Sequence, residues 1–195
     1  MGFTFLQIKK QQMKLFSILL IACAFTFSAT AQKYSNATPA NVTKEWKGLS
    51  FSSEKSLFQN LDETDVFSKS APLFKGDIIA DDAMLTAFVM VDSSFSELDE
   101  DAEESLFANS WKKFITYHFI PGRVDSNSIA KAIDNGDGIA YFNTVLGQRL
   151  GAKRENGDIV LFDSDGNTAK VIATDFYHKN GFFHVIDGLL MPNIE

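Results

Sequence analysis

The chain has 195 residues, 45% of them hydrophobic, a single cysteine and a formal net charge of −7 at pH 7. That length suits one domain with one core. The acidic balance repels nucleic-acid phosphates and anionic headgroups, and basic residues pair only locally, as at Lys112-Lys113 and Lys153-Arg154, so a nucleic-acid partner is excluded.

Lys9, Lys10 and Lys14 precede the apolar run "LFSILLIACAFTFSATA" (15–31), which ends in Ala29-Thr30-Ala31. This is the layout of a secretory signal peptide, predicted over residues 1–31, with Met13 as an alternative start. Ser and Thr interrupt the run, and spanning a bilayer takes about 18 or more apolar residues, so the mature chain is expected to carry no membrane-spanning segment. Leu20-Ile21-Ala22-Cys23 also resembles a lipoprotein box, leaving lipid anchoring through Cys23 as a second processing route. Cleavage after Ala31 leaves 164 residues, removes three basic side chains and no acidic one, and takes the charge to −10. The only cysteine goes with the leader, so the mature chain has no disulfide, thiol nucleophile or cysteine metal ligand. Export without disulfides fits a bacterial envelope protein: periplasmic, cell-surface or extracellular.

Residues 32–45, "QKYSNATPANVTKE", are polar, contain Pro39 and show neither helical nor strand period, so they read as a linker. A domain is expected over 46–195. Leu57, Phe58, Leu61, Val66 and Phe67 recur at helical spacing, and "LTAFVMV" (85–91) reads as a buried strand. The acidic stretch "SELDEDAEES" (96–105) lacks the glycine turn of a calcium loop and reads as a helix start favoured by the helix dipole. Leu106, Phe107, Trp111, Phe114 and Ile115 then share one helical face.

His118 continues that face and is predicted to point at the core. A buried imidazole without a partner costs about 1–3 kcal/mol, so a partner group is expected. "DSNSIAKAI" (125–133) reads as a short helix capped by Asp125 or Ser126. The second half turns to strand, with Asn156-Gly157 as a tight hairpin turn and two further runs joined through Asn180-Gly181. Helices early and strands late predict an α+β domain. By strand alternation His184 is a core histidine, whereas His178, beside a turn, reads as solvated.

Four stretches in order now carry a resemblance. "TAFVMVDSSF" (86–95), "YHFIPGRVDS" (117–126), "FNTVLGQRLGAKRENGDI" (142–159) and "NGFFHVIDGLLMP" (180–192) are similar to the successive motifs of the fasciclin (FAS1) domain family, over about residues 53–192. The family's Ala-Pro-Thr is replaced by Val89-Met90-Val91, which alters the turn expected after the first strand. The resemblance implies a fasciclin-like fold, with helices of the N-terminal half packed on a twisted β-sheet wedge or sandwich formed mainly by the C-terminal half. It also implies a non-enzymatic adhesion or interaction module that binds a cell-surface protein or glycan.

In animal fasciclin domains the Tyr-His motif is linked to integrin recognition; Tyr117 and His118 are the matching positions, although a bacterial envelope protein does not normally meet an integrin. The candidate partner-binding residues are therefore Tyr117, His118, Pro121 and Gly122. No catalytic, cofactor or metal residues are expected. Histidines lack the spacing of a zinc site, G-x-S-x-G is absent, and "DSDGN" (163–167) has its glycine at the wrong place for a calcium loop and reads as a hairpin turn. The alternatives are an envelope polysaccharide-binding protein, using exposed aromatics such as Tyr141, Phe176 or Tyr177, and a polysaccharide-acting enzyme.

Overall fold

A computed structural model describes residues 41–75 and 83–193. The expected leader, including Cys23, and linker residues 32–40 lie outside them. Strands β1 (Thr43–Trp46) and β2 (Leu49–Ser52) form an antiparallel hairpin, turned by Lys47 and Gly48 at φ 50° and 77°. The expected linker therefore gives way to strand before residue 46. Its polar residues show no alternation because β1 is exposed and is held by its partner. In β2, Phe51 is buried with its ring 5.1 Å from Phe176 and 5.4 Å from Phe183.

Helix α1 (Leu57–Leu61) starts in a capping box between Ser56 and Gln59 and buries Leu57, Asn60 and Leu61. Two 3₁₀ turns follow, Asp65–Phe67 and Ala71–Phe74. Strand β3 (Leu85–Met90) is buried at all six positions, as its unbroken apolar run predicts. A 3₁₀ turn, Asp92–Glu97, follows β3, while Val89 and Met90, which stand in place of the family's Ala-Pro, remain in the strand.

The acidic stretch becomes α2 (Glu100–Ser105), capped by Asp99 and carrying Glu100, Asp101 and Glu103 in its first turn. A π-helical turn over Leu106–Ser110 separates it from α3 (Trp111–Tyr117). The extra residue of that turn splits the expected single face: Leu106, Phe114 and Ile115 are buried, whereas Phe107 and Trp111 are only partly covered.

Strand β4 (Phe119–Pro121) and helix α4 (Ser126–Asn135), capped by Asp125, lead into β5 (Ile139–Asn143), β6 (Arg149–Glu155), β7 (Asp158–Phe162), β8 (Thr168–His178) and β9 (Gly181–Asp187). The expected turn at Asn156-Gly157 is present, with φ 51° and 91°. The main sheet has order β4-β3-β9-β8-β7-β6-β5, antiparallel except where β3 runs parallel to β9. Its ends approach: beyond β5, the Val145 N–H donates to Phe119 O at 2.8 Å and Leu146 N–H to Thr116 O at 3.2 Å. The result is a near-barrel with a few helices, which bears out the α+β expectation. Among the described residues, no helix is long and apolar enough to cross a membrane.

Gly181 starts β9, so the β8–β9 loop is Lys179-Asn180 and not Asn180-Gly181. A Cβ at Gly181 would lie 1.7 Å from Leu85 O, so glycine serves the close β3–β9 approach and not the turn.

Candidate functional site

The junction between α3 and β4 holds all four expected contact residues. Tyr117 ends α3 and is 2% exposed. Its hydroxyl donates to Arg149 O at 2.9 Å, and burial, with Asp163 and Asp165 nearby, pushes its pKa up to about 12. His118 caps α3 and is 0% exposed. Its Nδ1–H donates to Phe114 O at 2.8 Å, supplying the expected partner and fixing the proton on Nδ1.

Burial lowers the His118 pKa to about 4 against the opposing pull of the Phe114 carbonyl and Asp163. Among the described residues Nε2 has no hydrogen-bond partner. Neither side chain thus presents a surface to a partner. Pro121 is exposed and Gly122, at φ 90°, is half-buried.

The same junction anchors a chain of hydrogen bonds through the core. Thr86 Oγ1 donates to Gly122 O at 2.7 Å and accepts from Val124 N–H at 2.8 Å. His184 Nε2–H donates to Val124 O at 2.8 Å, while its Nδ1 accepts from Asp175 N–H at 3.2 Å. The Asp175 carboxylate accepts from Ser126 N–H at 2.7 Å and Ser126 Oγ at 2.5 Å, at the start of α4. Burial alone would raise the Asp175 pKa, but the Ser126 bonds and nearby His184 bring it below the usual carboxylate range.

Asp175 sits at φ 58°, beside the β8 bulge, where a left-handed aspartate costs less than most residues would. His184 is a fully buried core histidine, as expected, and burial lowers its pKa.

Sequence reasoning did not identify Asp175; an aspartate inside a β-rich run was the available signal for a bulge. Asp163 was assigned only to a turn, yet it is 4% exposed and does more. Its carboxylate accepts from the N–H groups of Asp165 and Asn167, both at 2.9 Å, from Asn167 Nδ2 at 2.7 Å and from Met191 N–H at 2.8 Å. It closes the β7–β8 turn, as the hairpin reading requires, and ties down the segment after β9.

His178 departs from expectation. It is 6% exposed, and burial takes its pKa down to about 4. The segment before α1 covers this hairpin end, with Lys179 N–H donating to Lys55 O at 2.9 Å, so the turn is not free in solvent.

Of the three aromatics expected to offer a binding face, Phe176 is buried at 1%, Tyr177 is half-buried and Tyr141 is 56% exposed. Phe176 turns inward onto Phe51 and Phe183. Among the described residues the exposed large hydrophobics are Ile139, Tyr141 and Val145, all on β5 or the turn after it. Cross-strand register sets Tyr141 opposite Gly151 and Gly151 opposite Phe162, so one face carries this row.

The Phe162 ring lies over Gly151, 2.3 Å from where a Cβ would stand, and meets the Tyr141 ring edge to face at 5.9 Å. The Arg149 guanidinium lies 5.5 Å from the Tyr141 centroid and the Lys153 ammonium 5.6 Å from that of Phe162. Elsewhere, an open groove of about 560 Å³ is lined by Lys69, Phe95 and the glutamates of α2. There Glu103 has both oxygens engaged by Lys69 at 2.7 Å.

A relative from Synechocystis sp. (strain ATCC 27184 / PCC 6803 / Kazusa), Protein sll1483, is 29% identical over 111 residues, covering 55% of this chain and 54% of that protein. The solved FAS1 domain pair from the insect cell adhesion molecule Fasciclin I aligns with a TM-score of 0.57 at 18% identity, covering 71% of this chain and 51% of that one, a likeness of fold. The chain thus spans about half the length of each. The fasciclin domain model matches residues 51–192, across all four motifs and the near-barrel they build. The chain belongs to the fasciclin domain family, a family associated with cell adhesion.

Proposed function

We propose that this protein is an exported adhesion module that binds a protein or glycan partner at the cell surface or in the periplasm, without turnover. The leader-like residues 1–31 support export, and Cys23 offers the alternative of a lipid anchor. The observation that carries the reading is the concentration of exposed Ile139, Tyr141 and Val145 on one strand and its turn, beside Arg149, on a rigid sheet. Tyr and Arg at the centre of a firm surface are the side chains that most often dominate recognition energy.

The Tyr117–Gly122 junction enters this reading through Pro121 and Gly122 at the surface, with Tyr117 and His118 supporting them from beneath. Binding of envelope polysaccharide is favoured as a second reading by the half-exposed ring of Tyr141. The test is adherence of protein-coated beads to cells and envelope fractions. Tyr141→Ala should reduce adherence severalfold without changing the melting temperature, whereas adherence equal to wild type would remove the β5 face from the account.

A further inference from the structure

We infer that the outer face of β5–β7 binds an acidic, uronate-bearing polysaccharide, with Tyr141 stacking on a sugar ring and Arg149 holding a carboxylate. This rests on the adhesion reading and specifies its partner.

The argument is one of charge accounting on a built platform. Phe162 lies flat over Gly151, which leaves a low saddle between it and Tyr141. Tyr141 stands 56% exposed, so much of its ring is available to an apolar face of a ligand.

The cations around the platform are nearly all committed. Lys153 pairs with Glu155 at 2.5 Å, Lys170 with Asp158 at 2.6 Å, and Arg154 with Asp134 at 3.5 Å. Among the described residues Arg149 meets no carboxylate; it is exposed, with its guanidinium over the Tyr141 ring. Its planar fork suits a carboxylate, and its contact with the Tyr141 ring keeps it beside the platform.

One available guanidinium beside one open ring matches a polymer whose carboxylates are spaced along polar rings. A strongly acidic peptide or an anionic bilayer would call for several free cations together, whereas Lys153, Arg154 and Lys170 on this face are paired. An exposed ring beside one guanidinium therefore favours a ligand in which an apolar sugar face adjoins a carboxylate.

Affinity electrophoresis of the full chain, recovered as an expression host processes it, tests the proposal. Polygalacturonate, alginate and methyl-esterified polygalacturonate would be cast in the gel, with migration normalised to a polymer-free gel. Wild type and the exposed-lysine control Lys113→Gln should be retarded by at least one of the two acidic polymers. Tyr141→Ala should lose at least fivefold of that retardation, and Arg149→Gln should behave in the acidic polymers as wild type does in the esterified one. No retardation of wild type by either uronate polymer, or equal retardation of wild type and Arg149→Gln, would overturn the proposal.

Bead adherence to envelope fractions treated with periodate or with protease separates the two readings. Loss on periodate alone supports the glycan. Loss on protease alone overturns it while the adhesion reading stands. Failure to adhere to untreated fractions removes both.

Discussion

Tyr117 and His118 occupy the positions of a recognition motif, yet their chemistry here is that of the core. The Tyr117 hydroxyl makes one bond, to Arg149 O, so Tyr117→Phe should cost about 1 kcal/mol, read from urea midpoints, and leave adherence unchanged. Thr86→Val leaves the Val124 N–H without its acceptor and should cost about 2 kcal/mol by the same measurement. The histidines set an acid limit. His118 and His178 have folded-state pKa values lowered to about 4 by burial, against 6.5 when free of the fold. Between those values the unfolded chain binds more protons, so the stability they contribute is complete above about pH 6.5 and is lost as pH falls toward 4. Each contributes a slope of about 1.4 kcal/mol per pH unit within that window. The urea midpoint should therefore drop between pH 7 and 5, and His178→Gln should shrink the drop; an unchanged drop would contradict the assignment. The inward aim of His118 was legible because Trp111 and Phe114 set its helical face. Burial of His178 was not, because the groups around its ring include Leu85 and Arg123, far away in sequence.

Elements show the same division between local and distant causes. The hairpin at Asn156-Gly157 and the caps at Asp99 and Asp125 were legible because the residue that makes each turn or cap lies inside it. Strand β1 was hidden because its polar residues are held by β2, and the π turn was hidden because helical spacing alone cannot register one added residue. Gly181 shows how a correct residue can be given the wrong cause: Asn-Gly suggested a turn, while the backbone of Leu85 makes the demand. Gly181→Ala should therefore force β3 and β9 apart and cost about 4 kcal/mol or more, seen as loss of a cooperative melt near the wild-type temperature. A loss below about 1 kcal/mol would mean that the sheet can yield there.

The described residues build a nearly closed sheet in which Tyr117, His118 and His184 face inward, and their exposed large apolar side chains gather on β5 and the turn after it. The order of four motifs made the fold legible, since each stretch builds a neighbouring part of one sheet. The contact surface was only partly legible: Tyr141 and Phe176 both lie in strand-rich runs, but which ring faces water depends on the packing of Phe51 and Phe183 against Phe176. The central claim is that the Tyr-His motif supports the fold and the β5–β7 face makes the contact. The most direct test compares bead adherence and thermal melts for wild type, Tyr117→Ala/His118→Ala and Tyr141→Ala/Arg149→Gln. The account predicts that the first double variant melts about 10 °C or more below wild type, and that the second melts with wild type yet adheres severalfold less. A Tyr117→Ala/His118→Ala protein that melts like wild type and has lost adherence would contradict it.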